Sequence, residues 1–282
     1  MKFVRHHLLT VYAIFAFAYL LVPIGLVILF SFNNPKGRFN YTWQGFTLDH
    51  WRNWDAVPGL RDAMTRSLEI ALFASIAATV LGTLIALALV RYRFHGRGST
   101  NLLIFLPMAT PEIVLGASLL TLFINLKVFL GFSTILIAHI MFCISYVVVT
   151  VKARLVGFDR NLEEAAMDLG ANEWVTFRKV TLPLLAPAIL SAALLGFALS
   201  IDDFVITYFV AGSTTTFPLF VWGAARVAVP PQVNVVASAI FLIAILVMVG
   251  NVLWGLRAAR RSREPMTQAL PIPEQLHQPE AA

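Results

Sequence analysis

Asn161-Leu162-Glu163-Glu164-Ala165-Ala166-Met167-Asp168-Leu169-Gly170 opens a 23-residue stretch that closes on Val180-Thr181-Leu182-Pro183. Residues 161–169 are strong helix formers. Asn161 suits a helix cap, and the acids behind it suit the positive end of the helix dipole. Gly170 stands where a left-handed residue ends a helix. Glu173-Trp174-Val175-Thr176-Phe177-Arg178-Lys179-Val180 reads as a second short helix, stopped at Leu182-Pro183. Pro183 then suits the first turn of the next helix. Two short helices cannot bury Leu169, Trp174 and Phe177 by themselves, so this knob calls for a partner or for the rest of the chain.

On both sides of the stretch the chain is apolar. Of its 282 residues 59% are hydrophobic and only 13% charged, with mean hydropathy +0.78. An average soluble chain carries about 25% charge. A span of roughly 20 apolar residues crosses a bilayer. Six stretches qualify, at 8–32, 67–90, 102–126, 133–151, 184–210 and 235–256. The first is too long for a signal peptide and has no small-residue cleavage site behind it. The fold class is therefore an all-α membrane protein with six transmembrane helices.

Charge sets its orientation. Fourteen of the 21 Lys and Arg residues fall on the side of the 152–183 loop and both chain ends, and seven fall on the other side. By the positive-inside rule both termini and that loop are cytoplasmic. The net charge of +6 then records topology, and nucleic acid is not an expected partner. The polar, proline-bearing segment 258–282 reads as a disordered cytoplasmic tail.

Four acids lie in or beside the spans: Glu69, Glu112, Asp202 and Asp203. A carboxylate at the bilayer centre costs about 2.5–3.5 kcal/mol or more. No Lys or Arg lies deep in a span to offset it, so a cationic substrate is a natural partner. Pro107 and Pro111 loosen the helix before Glu112, which a straight count places near the midplane. Asp202 and Asp203 fall toward the external end of the fifth span, and Glu69 reads as interfacial. His139 and Cys143, four residues apart, read as packed residues rather than metal ligands. Asn40-Tyr41-Thr42 reads as a chance glycosylation match. The lone cysteine excludes an internal disulfide. No phosphate-binding loop, zinc-protease motif or hydrolase elbow is present, so the chain is not expected to be an enzyme or to bind a cofactor or metal.

Glu164-Ala165-Ala166, Gly170 and Leu182-Pro183, with Val180 in place of the usual Ile, resemble the coupling-loop motif of ABC importer permeases. The segments 40–47, 91–96, 138–143 and 199–205 resemble the spermidine/putrescine permease family within that group. The resemblance implies the type I importer (MetI-like) fold in a bacterial inner membrane. A first helix and external loop would occupy 1–61 and the permease domain 62–257, with the coupling loop at 152–183. It implies a second permease subunit, two copies of a cytoplasmic ATPase that uses ATP and Mg, and a periplasmic polyamine-binding protein. It assigns Glu164, Ala165, Ala166, Gly170, Glu173, Leu182 and Pro183 to ATPase coupling. Glu173 is also tied to transport in the family, so contact with substrate stays open. Trp51, Glu112, Ser200, Asp202 and Asp203 are assigned to substrate, with Glu112 standing where the family's usual residue is Asp. Trp51 would hold an ammonium by cation–π attraction. An importer for an amino-acid derivative, an opine or ferric iron is the nearest alternative; an ATPase-independent channel is a second.

Overall fold

The computed structural model describes residues 2–37 and 39–261; the reading of a disordered tail lies outside them from residue 262 on. Every regular element among these residues is helical, apart from one isolated bridge between Asn33 and Phe46. Five helices are long and apolar enough to cross a membrane, and six spans result if one bent pair counts as one.

The chain begins with α1 (Lys2–Ser31), which packs on the last helix, α12 (Pro231–Arg261). The short α2 (Asp49–Arg52) sits in the following loop. The core is built by α3 (Leu60–Arg91), α6 (Phe132–Val156) and α9 (Leu182–Asp202), packed on one another. Lipid tails are as apolar as leucine, so membrane helices gain by close van der Waals approach, which small residues permit. The buried face of α3 follows this rule with Ala71, Ala74, Ser75, Ala78 and Gly82. A Cβ on Gly82 would lie 2.6 Å from Val147 Cγ1 of α6, so only glycine allows this approach.

The third expected span is not straight. It comprises α4 (Arg97–Ala109) and α5 (Glu112–Asn125), bent by 109°. Thr110 between them is extended (ψ 132°), the conformation a residue before proline prefers. Pro111 therefore does more than loosen the helix, and Glu112 becomes the first residue of a new one.

The knob starts with α7 (Asn161–Asp168). Asn161 is its first helical residue rather than its cap, and its backbone N–H donates to Asp159 Oδ1 (3.0 Å). Asp159 thus takes one of the N–H groups left free at the start of the helix. Gly170 is left-handed (φ 88°) as expected. Ala171 N–H donates to Ala166 O and Gly170 N–H to Met167 O, which closes a Schellman motif.

The second short helix is not stopped at Leu182-Pro183. After α8 (Glu173–Thr176), capped by Asn172 Oδ1, a π turn at Phe177–Thr181 leads directly into α9. Leu182 N–H donates to Phe177 O, five residues back. This wider turn lets the chain accept Pro183, which has no N–H to give, without breaking. The fifth span thus runs Glu173–Asp202, and the residues up to Val210 form a separate helix, α10 (Val205–Val210), packed on α5 and α6. A further helix, α11 (Phe217–Ala225), rests on α3 and α9. Helix α12 remains helical to Arg261, past the expected tail boundary.

Candidate functional site

Two regions gather the residues singled out by sequence, one at each end of α9. At its C-terminal end the three neighbours Ser200, Asp202 and Asp203 separate. Asp202 is exposed, and it makes no ion pair and no hydrogen bond to another residue among the described ones. Asp203 is only 9% exposed and Ser200 4%. Ser200 on α9 and Asp203, the extended residue just past its end (ψ 118°), both turn toward α6, while Asp202 does not.

The buried pair is joined by His139, itself 2% exposed. Asp203 Oδ2 accepts from the Thr207 backbone N–H (2.8 Å) and from its hydroxyl (2.7 Å). His139 Nε2 lies 2.9 Å from Thr207 Oγ1 and 3.2 Å from Asp203 Oδ2, and Nδ1 lies 2.7 Å from Ser200 Oγ. A neutral ring with its proton on Nε2 satisfies every partner: Nε2–H donates to Thr207 and Asp203, and the Ser200 hydroxyl donates to Nδ1. Asp203 also takes the Ile206 N–H at 3.4 Å, so it caps α10. His139 is buried as the sequence suggested, but it is the centre of a polar network rather than filler. Cys143, one turn on, gives its Sγ–H to Gly196 O at 3.4 Å. No group of three or more possible metal ligands occurs among the described residues.

Glu112 is exposed at the start of α5, where the helix dipole favours its charge. No hydrogen bond or ion pair reaches it among the described residues. Glu69, by contrast, is tied to Arg66 (3.0 Å), both partly exposed. Of the four acids in or beside the spans, Glu112 and Asp202 are thus the free ones among the described residues, each beside a break between helices.

Aromatic rings follow the Asp202–Asp203 pair directly. Phe204 lies with its ring centroid 5.6 Å from Tyr208 and 5.1 Å from Trp222 of α11. The Arg226 guanidinium carbon lies 4.9 Å above the Trp222 ring. Trp51 stands elsewhere, in α2. It stacks on Phe32 (5.3 Å), and its Nε1–H donates to Ser31 Oγ (3.2 Å). One indole face is covered and the ring ties the loop to the end of α1. Asn40 is occupied as well, since its side chain bonds Asn33 and Phe30 O.

At the other end of α9 the knob presents Leu169, 90% exposed, and Trp174, 68% exposed. Glu164, Ala165, Gly170, Glu173, Leu182 and Pro183 are all exposed, and Ala166 partly so. A cleft of about 300 Å³ is lined by Arg91, Glu163, Glu164, Glu173 and their neighbours. Glu163, which the motif does not single out, is the anchor: it bonds both Arg91 at the end of α3 and Thr181 in the π turn. Arg91 and Glu163 lie 72 positions apart, so sequence spacing gave no signal for them. Glu173 and Asp202 are about 44 Å apart along one continuous helix, at about 1.5 Å per residue.

Residues 58–263 match the family described as binding-protein-dependent transport system inner membrane component. The chain is 41% identical over 236 residues to the spermidine/putrescine transport system permease protein PotC of Escherichia coli K12, covering 83% of this chain and 89% of that protein. It is 38% identical over 250 residues to the putrescine transport system permease protein PotI of the same organism, covering 86% and 88%. Its fold matches, with TM-score 0.64 and 18% identity over 90% of this chain and 95% of the other, a chain in the crystal structure of a bacterial ABC transporter that imports the acidic polysaccharide alginate. The all-helical fold is therefore that of a type I ABC importer permease, and the chain belongs to the family of inner-membrane components of binding-protein-dependent transport systems.

Proposed function

We propose that this chain is one permease subunit of an ATP-driven importer for polyamines of the spermidine/putrescine class. The observation that carries the cationic cargo is the pair of exposed carboxylates, Glu112 and Asp202, which no cation among the described residues neutralises. The similarity to PotC and PotI supports the polyamine class within that chemistry. A diammonium chain offers charges for the acids and methylenes for apolar walls. Glu112 and Asp202 meet the substrate. Ser200 and Asp203 act through His139 by fixing the end of α9, and Trp51 orders the external loop. A second permease completes the path, and a periplasmic binding protein delivers the cargo.

The knob docks on a cytoplasmic ATPase, one of two copies, which binds ATP and Mg. Its exposed Leu169 and Trp174 supply the apolar contact, and Glu164, Ala165, Ala166, Gly170, Leu182 and Pro183 shape the surface. Glu173 belongs to this contact, being at the opposite end of α9 from Asp202.

Uptake of labelled putrescine and spermidine into cells lacking their own polyamine importers tests this reading. The intact system restores uptake, and Asp202→Asn abolishes it while the complex still assembles. Unimpaired low-concentration uptake by Asp202→Asn would remove the carboxylate from the path, and import of a neutral solute instead of polyamine would remove the cargo.

A further inference from the structure

The Trp222 ring is 45% exposed and Tyr208 56%, and both touch Phe204, which follows the acid pair in the chain. Exposed aromatic faces attract cations through the ring quadrupole. One of these faces already holds one: Arg226, a turn along from Trp222, sits 4.9 Å over the indole. Arg226 makes no ion pair to any acid among the described residues, so the ring is its partner. Asp202 meanwhile lies unpaired two residues before Phe204. An anionic group without a cation and an aromatic face with an internal one are thus linked through Phe204, two residues from the first in the chain and 5.1 Å from the second.

We propose that Phe204, Tyr208 and Trp222 form an aromatic subsite for an alkylammonium group, and that the Arg226 guanidinium occupies it when substrate is absent. One ammonium of the substrate binds Asp202. Its methylenes lie against Phe204 and Tyr208, and its second ammonium replaces Arg226 on the Trp222 face. Arg226 is thus a built-in competitor that sets affinity. No bond is made or broken; one cation exchanges for another on the same ring. This deepens the polyamine reading above and rests on it.

The test is the concentration dependence of putrescine uptake by the complete complex in cells, with complex abundance measured by copurification. Arg226→Gln lowers KM about two- to fivefold, the size of an exposed cation–π contact. Trp222→Leu raises KM, and Trp222→Phe recovers part of the loss because a ring face is kept. Arg226→Gln in the Trp222→Leu background changes KM less than it does alone. An equal gain in both backgrounds would mean that Arg226 only repels cations at a distance, and the subsite would be wrong. Unchanged KM in Arg226→Gln and Trp222→Leu, at normal complex abundance, would overturn it as well. If the unaltered complex takes up no polyamine at all, the cargo assignment fails instead, which the same assay shows first.

Discussion

Adjacent acids with different roles should respond differently to the same substitution. Asp203→Ala removes the cap of α10, orphans the Thr207 N–H and hydroxyl, and leaves His139 Nε2 without its carboxylate. A lost cap costs about 1 kcal/mol. Each buried donor left without an acceptor costs about 1–3 kcal/mol. The lost cap and the orphaned Thr207 N–H are one interaction, so the two donors together cost about 2–6 kcal/mol, a range that brackets the roughly 3–5 kcal/mol for removing one member of a buried pair in other proteins. Asp202→Ala touches no partner and stays within about 0.5 kcal/mol, as surface changes do. The assay is thermal denaturation of the purified complex in detergent or nanodiscs. Asp203→Ala lowers the midpoint clearly, Asp202→Ala does not, and both lose uptake. His139→Leu lowers the midpoint too, and its effect is not additive with Asp203→Ala because both break one network. Equal midpoints for the two aspartate variants would refute the division of roles.

The remaining predictions concern the knob. Arg91→Gln or Glu163→Gln detaches α7 from α3, so ATP hydrolysis by the complex loses its dependence on loaded binding protein; the exchange Arg91→Glu with Glu163→Arg restores part of it, read by phosphate release from proteoliposomes. Gly170→Ala forces a side chain into a left-handed residue at about 1 kcal/mol or more. It weakens ATPase copurification, and Gly170→Pro abolishes coupled transport.

Much of the fold was legible because a bilayer leaves few solutions. Backbone groups must be satisfied within the span, so apolar length alone marks helices. The breaks were less legible. Pro111 and Pro183 are both prolines in apolar surroundings, yet one bends the chain by 109° and the other is carried through a π turn. The difference lies in tertiary support: α10 packs on α5 beyond the first proline, whereas α9 beyond the second is held by α3 and α6. Neither contact shows in local sequence. The site was legible as a set of residue types and not as a set of contacts. Ser200, Asp202 and Asp203 look equivalent in a row, but the helix face at Ser200 and the break in the helix at Asp203 send those two into the core. His139 could be found only through its partners, 61 and 68 positions away.

How motion at the knob reaches Asp202 follows from what is rigid. The chain from Glu173 to Asp202 is continuous, and Arg91–Glu163 ties the knob to α3 as well. Helices α3, α6 and α9 meet through small residues at close range, where sliding would create voids or overlaps. These three helices should therefore move as one body, and the transport cycle should turn on their outer contacts. Gly196 offers a direct test. A Cβ built there lies 3.8 Å from Cys143 Cβ, the mean separation in disulfides. Gly196→Cys can thus bond to the native Cys143 and lock α9 to α6 with one substitution. Oxidation with a membrane-permeant reagent is followed by loss of both thiols to alkylation, and uptake is then measured before and after reduction. A body that moves whole keeps its transport when locked. Transport lost on oxidation and recovered on reduction would show that α6 and α9 slide past each other in the cycle, and the rigid-body argument would be wrong.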